Sequence, residues 1–288
     1  MEQFAMLPTP IKVDDKLRIY IGFCDKNNVG RIGYVDVSPE NPGHILAISE
    51  KPVLEIGEKG CFDDNGVVPI SILKRDETIY LYYIGFQLGV KVPYFMFCGL
   101  AISRDNGETF ERYSKSPILD RVGDEVYARC GVNIIYDEGL YKMWYVGSYG
   151  KGWTKVGEKL KPLYIMKYTE SKDGIHWNGE AVQCMEYKNS DEHGFGRPYV
   201  WKENGIYRML YSIRTYSRGY YIGYAESKDG IEWDRMDEKA GITLSPQGWD
   251  SENLSYPYLW KENNETYLFY NGNGCGKSGF GYATYIKE

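Results

Sequence analysis

Five segments of the chain carry the same short core: KLRIYIGF from Lys16, TIYLYYIGF from Thr78, LYKMWYVGS from Leu140, IYRMLYSIR from Ile206 and TYLFYNGN from Thr266. Their shared tyrosines, Tyr20, Tyr83, Tyr145, Tyr211 and Tyr270, recur roughly every 60 residues, too long a period for a solenoid turn and suited to a four-stranded blade. Each core follows a shorter strand-like piece (PTPIKVDD, VVPISILKRD, GVNIIYDEG, RPYVWKENG, YPYLWKENN) that ends in acid, Asn or Gly residues, a hairpin signal. Each is followed by a third strand, and in the second to fourth repeats a Ser-x-Asp turn leads into a fourth. Such units around an axis make an all-β, five-bladed β-propeller with mostly four-stranded antiparallel blades. The expected blades are about 5–58, 61–120, 123–186, 190–245 and 247–288 of a single domain, 1–288.

Composition agrees with this reading. Of 288 residues 43% are hydrophobic, enough for a full core, and almost no stretch has the helical period. Aromatic residues make up 16%, with 28 tyrosines against 10 phenylalanines; tyrosine suits strands, and its hydroxyl suits walls that face polar ligands. A net charge of −6 with scattered Lys and Arg lacks the basic footprint of a nucleic-acid partner. No run of about 18 apolar residues predicts membrane insertion. The start MEQFAMLPTP lacks the features of a secretory signal, so the expected location is the cytoplasm. The six dispersed cysteines then read as free thiols.

The turns SRDNGETF, SKDGIHW and SKDGIEW read as structural. Their Asp can bond the turn's own amides, Gly supplies positive φ, and the aromatic packs beneath the next strand.

In a propeller the first strand of each blade lines the central channel, so residues at its start project into one funnel. The first blade offers MLPTPI, without an acid; the second offers FDDNGVVP, with Asp63 and Asp64; the third, DEVYARCGVN, brings Arg129. The fourth, DEHGFGRP, brings Glu192, His193 and Arg197, and the fifth, WDSENLSYP, brings Asp250, Glu252 and Tyr256. NGNGCG adds the amides of Asn271 and Asn273. Acids converging among aromatic walls suit a carbohydrate, because carboxylates bind hydroxyls, act as acid and base, and stabilise an oxocarbenium ion. The expected catalytic set is therefore Asp64, Glu192, Asp250 and Glu252. Arg129, His193, Arg197, Tyr256, Asn271 and Asn273 are the expected substrate-binding residues. The arginines suit a phosphate or sugar carboxylate, or hold the acids in place. No cofactor is indicated, although a calcium ion in the channel is compatible with converging oxygen ligands, which leave no spacing signature.

LPTPI…LRIYIGFCD, FDDNGVVPISIL, GLAISRDNGETFER, GRPYVWKENGIYRMLYS, GWDSE…YPYLW and YNGNGCGKSGFGYA together resemble bacterial family 32/43-type glycosyl hydrolases of surface-polysaccharide gene clusters. The resemblance implies the furanosidase-like propeller superfamily, with a trio of carboxylates from different inner strands. Where that superfamily carries its first acid, this chain has Leu7, Pro8, Thr9 and Pro10, and Arg129 is followed by Cys130 and Gly131 rather than Asp-Pro. The expected function is a glycosidase-like enzyme acting on a small glycoside or nucleotide sugar in surface-polysaccharide metabolism. The alternative is a propeller that binds such a ligand without turnover.

Overall fold

Each tyrosine core becomes the second strand of an antiparallel meander. A computed structural model describes residues 3–177, 181–262 and 265–285. The turn at Asn263 and Asn264, expected to close the fifth hairpin, lies outside the described residues, as do both chain ends. The first meander runs β1 (Gln3–Val13), β2 (Lys16–Cys24), β3 (Gly30–Val37) and β4 (Ile45–Ile48). The second runs β5 (Val67–Arg75), β6 (Thr78–Leu88), β7 (Tyr94–Ser103) and β8 (Glu111–Arg112). The third runs β9 (Ala128–Asp137), β10 (Leu140–Val156), β11 (Lys159–Ser171) and β12 (Val182–Met185). The fourth runs β13 (Glu192–Glu203), β14 (Ile206–Thr215), β15 (Gly219–Ser227) and β16 (Asp234–Arg235). The last has β17 (Ser255–Glu262), β18 (Glu265–Asn271) and β19 (Phe280–Thr284). The second and third meanders share one sheet, because β7 and β9 pair in parallel at Met96 with Ala128 and Phe97 with Arg129.

The first strands contact one another in a closed ring, β1 to β5, β9, β13, β17 and back to β1. The fold is a β-propeller. Its meanders stack face to face, so second strands are buried on both sides and read as nearly continuous apolar runs. The core is correspondingly divided among the faces between neighbours. Ile11, Tyr20 and Ile32 of the first meander meet Ile72, Leu81 and Phe97 of the second. Leu17, Ile19 and Val35 meet Tyr258, Tyr267 and Phe269 across the face that joins the first meander to the last. Burying each such side chain contributes about 1.5–3 kcal/mol.

The Ser-x-Asp turns dock one meander onto the next. In the first turn Ser103 Oγ donates to Asp105 Oδ1 at 2.7 Å, and the Gly107 amide donates to Ser103 Oγ at 2.8 Å. The turns at Ser171 and Ser227 repeat this pattern. Each turn glycine then accepts from an aromatic residue of the preceding meander: Gly107 O from Tyr20 at 2.7 Å, Gly174 O from Tyr82 at 2.8 Å and Gly230 O from Trp144 at 2.7 Å.

Closure depends on Asn271. This buried side chain accepts from the Leu7 amide at 2.8 Å and donates to Ala5 O at 2.7 Å and Gly279 O at 2.9 Å. One amide group thus ties the first strand of the chain to the last meander.

An axial cavity as the candidate ligand site

All five first strands are interrupted by a register shift, between Met6 and Thr9, Pro69 and Ser71, Cys130 and Asn133, Gly196 and Tyr199, and Ser255 and Tyr258. A β-bulge of this kind re-aims the side chains beside it. Four residues at these shifts have left-handed backbone: Leu7 (φ 57°), Gly131 (φ 64°), Arg197 (φ 33°) and Tyr256 (φ 59°). Glycine suits its position, where an added Cβ would lie 2.7 Å from Val146 Cγ2. For the other three the conformation costs about 1–2 kcal/mol each, strain of the kind that collects at ligand sites.

These four residues, with Ile70, line one axial cavity of about 540 Å³. Its wall also includes Asn27, Asn28 and Asn65, the rings of Tyr94, Tyr164 and Tyr220, and the guanidinium-bearing Arg214. Burial raises the phenol of Tyr220 to about 12 and that of Tyr164 well above its usual range, so both hydroxyls are neutral at physiological pH. Among the described residues, no carboxylate lines the cavity.

The expected catalytic acids lie outside that lining. Glu192 is 4% exposed and receives Arg235 Nη1 at 2.8 Å and Nη2 at 2.9 Å, with the Lys188 amide at 3.1 Å. Asp250 is 5% exposed and accepts from Tyr270 Oη at 2.8 Å. Asp64 is half-buried and accepts the Gly60 amide at 2.9 Å, whereas Glu252 is exposed. The repeat supplies a reason. The core tyrosine often holds the acid that precedes its own meander: Tyr83 donates to Asp63 at 2.9 Å, Tyr145 to Glu125 at 2.8 Å and Tyr270 to Asp250. In the fourth meander Tyr211 donates to Asp237 instead, and Arg235, which donates to Tyr211, carries Glu192.

Two of the six expected binding residues, Arg197 and Tyr256, line the cavity. The other four have partners or settings elsewhere. Arg129 pairs with Glu125 at 2.8 Å and donates to Asp120 O at 2.7 Å. Asn271 is the closure clamp, and Asn273 holds its neighbouring loop by accepting the Glu252 amide at 2.8 Å and donating to Gly248 O at 3.0 Å. His193 is buried with its ring centroid 4.5 Å from that of Tyr216; burial, and then the charge of Arg214, lower its pKa to about 4. It is neutral at pH 7. Glu192 and His193 belong to β13 itself, whereas the repeat alone starts that strand at Arg197.

Arg197 is 2% exposed and is held by neutral groups: Nη2 donates to Thr9 Oγ1 at 2.7 Å and to Ile70 O at 3.4 Å, and Nη1 donates to Tyr256 O at 3.4 Å. Burial lowers its pKa to about 9, which leaves it charged at neutral pH. Arg214 and Asn65 are cavity residues that the sequence reading omits. A signal for Arg214 exists three positions after each core tyrosine, where the chain has Phe23, Phe86, Ser148, Arg214 and Asn273. Only one of the five is charged.

Among the described residues, no group of three or more His, Cys, Asp or Glu comes together as a metal site. The acid-free cavity lining likewise offers a calcium ion no carboxylate. Among the described residues, no helix is long and apolar enough to cross a membrane.

The propeller fold is shared with solved glycoside hydrolases. A thermostable family-43 glycoside hydrolase superposes with a TM-score of 0.75 at 15% identity, covering 99% of this chain and 91% of that one. The endo-arabinase of Bacteroides thetaiotaomicron VPI-5482 gives 0.70 at 14% identity, covering 100% and 96%. No family model matches the sequence. The chain belongs to the family of the uncharacterized protein Rv1502 of Mycobacterium tuberculosis (strain ATCC 25618 / H37Rv), to which it is 36% identical over 280 residues, 97% of this chain and 91% of that protein. A more local likeness, 37% over 147 residues, connects 49% of this chain with 47% of the 1,2-beta-oligomannan phosphorylase of Thermoanaerobacter sp. (strain X514).

Proposed function

We propose that this protein binds a small carbohydrate or nucleotide sugar in the axial cavity and does not hydrolyse it with a carboxylate pair. The observation that carries this reading is a cavity of about 540 Å³, sugar-sized, whose largely apolar wall, with Val68, Ile84, Phe86 and Phe195, also presents tyrosine, asparagine and arginine side chains and, among its described lining residues, no carboxylate. Hydrolysis of a glycoside ordinarily requires two carboxyl groups flanking the bond, about 5–9.5 Å apart. Tyrosine rings and amide side chains meet the needs of a ligand that has both C–H faces and hydroxyls. In this reading the five meanders are five blades of one domain, and Arg197, Tyr256, Asn65 and Arg214 touch the ligand. Glu192, Asp250, Arg129, Asn271 and Asn273 hold the scaffold.

Titration of the protein with monosaccharides and nucleotide sugars, followed by calorimetry, tests the reading. A ligand should bind in a one-to-one ratio, and Asn65→Ala should weaken it by about tenfold, the worth of one or two hydrogen bonds. Undiminished binding by that variant together with Tyr256→Ala contradicts the assignment.

A second reading, turnover of a small glycoside or activated sugar in cytoplasmic surface-polysaccharide metabolism, is favoured by the local likeness to 1,2-beta-oligomannan phosphorylase. It assigns the reacting carboxylate to Asp64, the half-buried acid next to the cavity residue Asn65. Release of free sugar or sugar phosphate from a bound glycoside, abolished by Asp64→Asn, distinguishes turnover from binding.

A further inference from the structure

Four arginines are buried among the described residues, and they divide into two classes. Arg18 donates to Asp36 at 2.7 and 2.9 Å, and Arg129 pairs with Glu125 at 2.8 Å. Arg197 and Arg214 have no carboxylate partner among the described residues, and these are the two that line the axial cavity. A buried charge left unpaired costs several kcal/mol, so two in one cavity call for a compensating group.

The two guanidiniums differ in what they have left to offer. Arg197 is bonded at both terminal nitrogens. Arg214 donates from Nη1 to Pro162 O at 3.1 Å, but its Nε is buried without a hydrogen-bond partner. Its guanidinium stands 4.8 Å from the Tyr164 ring centroid and 5.5 Å from that of Tyr220, neutral surfaces that fix its plane without offsetting its charge. Nearby, burial and then the charge of Arg214 lower the pKa of Lys161, while His193 stays neutral. Among its described residues the lining therefore carries two positive charges and no negative one.

Resting on the carbohydrate reading above, we propose that the cavity selects sugars bearing an anionic group, a carboxylate or a phosphate, and that Arg214 is the residue that reads it. The planar guanidinium fork matches either oxyanion, and Arg197 contributes a fixed charge from the bulge of β13, the strand paired with the β14 that carries Arg214. Asn27, Asn28 and Asn65 are left to the hydroxyls.

The test is calorimetry on the full chain with the 1-phosphates and the uronic acids of glucose, galactose and mannose, the matched neutral methyl glycosides, and inorganic phosphate alone. At least one anionic sugar should bind about tenfold or more tighter than its neutral counterpart, the increment of a charge-assisted pair. The uronate and phosphate arms identify which oxyanion is read. Arg214→Met should lose the preference without lowering the thermal midpoint, since no carboxylate is stranded. Arg214→Lys, which retains the charge without the fork, should recover part of it. Neutral glycosides binding as tightly as the charged ones, or an Arg214→Met protein that keeps the preference, overturns the anion inference and leaves the carbohydrate reading standing. Binding of inorganic phosphate with no sugar binding overturns the carbohydrate reading and keeps an anion site. Binding of none of the probes by the folded protein overturns both.

Discussion

Arg235 holds both carboxylate oxygens of Glu192, at 2.8 and 2.9 Å, and their side chains are 6% and 1% exposed. Glu192 is one of the four acids that the sequence marks as catalytic, and the pairing gives it a structural partner. A catalytic Glu192 predicts that its loss abolishes turnover and spares stability. The observed pair predicts the reverse emphasis: Glu192→Gln removes one of the two carboxylates that hold Arg235, the other being Asp237 at 2.9 Å, and should cost about 1–3 kcal/mol in urea unfolding. Adding Arg235→Met to that variant should cost further stability, because Arg235 also holds Tyr211 at 2.8 Å and Asp237 at 2.9 Å.

Asn271 makes three hydrogen bonds, two of them to the first strand of the chain. Asn271→Ala removes all three and leaves buried backbone groups unpaired, at about 1–3 kcal/mol for each group left unsatisfied. The expected result is a loss of several kcal/mol with faster amide exchange along β1 and β18. Exchange unchanged in β1 would show that closure depends on the apolar face of Leu17, Ile19 and Phe269 alone.

His193 sets a pH window. Its folded pKa, about 4, lies below the unfolded value of about 6.5, so the unfolded chain binds the extra proton between them. Its contribution to stability is complete above about pH 6.5 and is lost as pH falls toward 4. Denaturation midpoints measured from pH 7 to 4 should fall more steeply for the wild type than for His193→Gln; parallel curves would remove His193 from the account.

The architecture was legible because the repeat is local. Each core tyrosine sits within one strand, and each Ser-x-Asp turn is stabilised by residues a few positions apart, as with Ser103, Asp105 and Gly107. The destination of the acids was not, since it depends on distant partners. Glu192 meets Arg235 43 positions away, and Asp250 meets Tyr270 20 positions away. The bulges add a second difficulty, because a register shift reverses which face a side chain takes. Arg197 and Tyr256 sit at such shifts and reach the cavity, whereas Glu192 and His193, a few residues earlier in β13, do not line it. Arg214 was hidden for another reason: it lies near the end of a second strand, whereas propeller geometry points first to residues at the starts of first strands.

The central claim is that the axial cavity is the ligand site. Its most direct test is a crystal of the protein soaked in turn with nucleotide sugars, sugar 1-phosphates and uronic acids. The account predicts ligand density between Tyr256, Asn65 and Arg214, with an anionic group against the Arg214 guanidinium. Density confined to an outer groove, with the cavity holding only solvent, would contradict it.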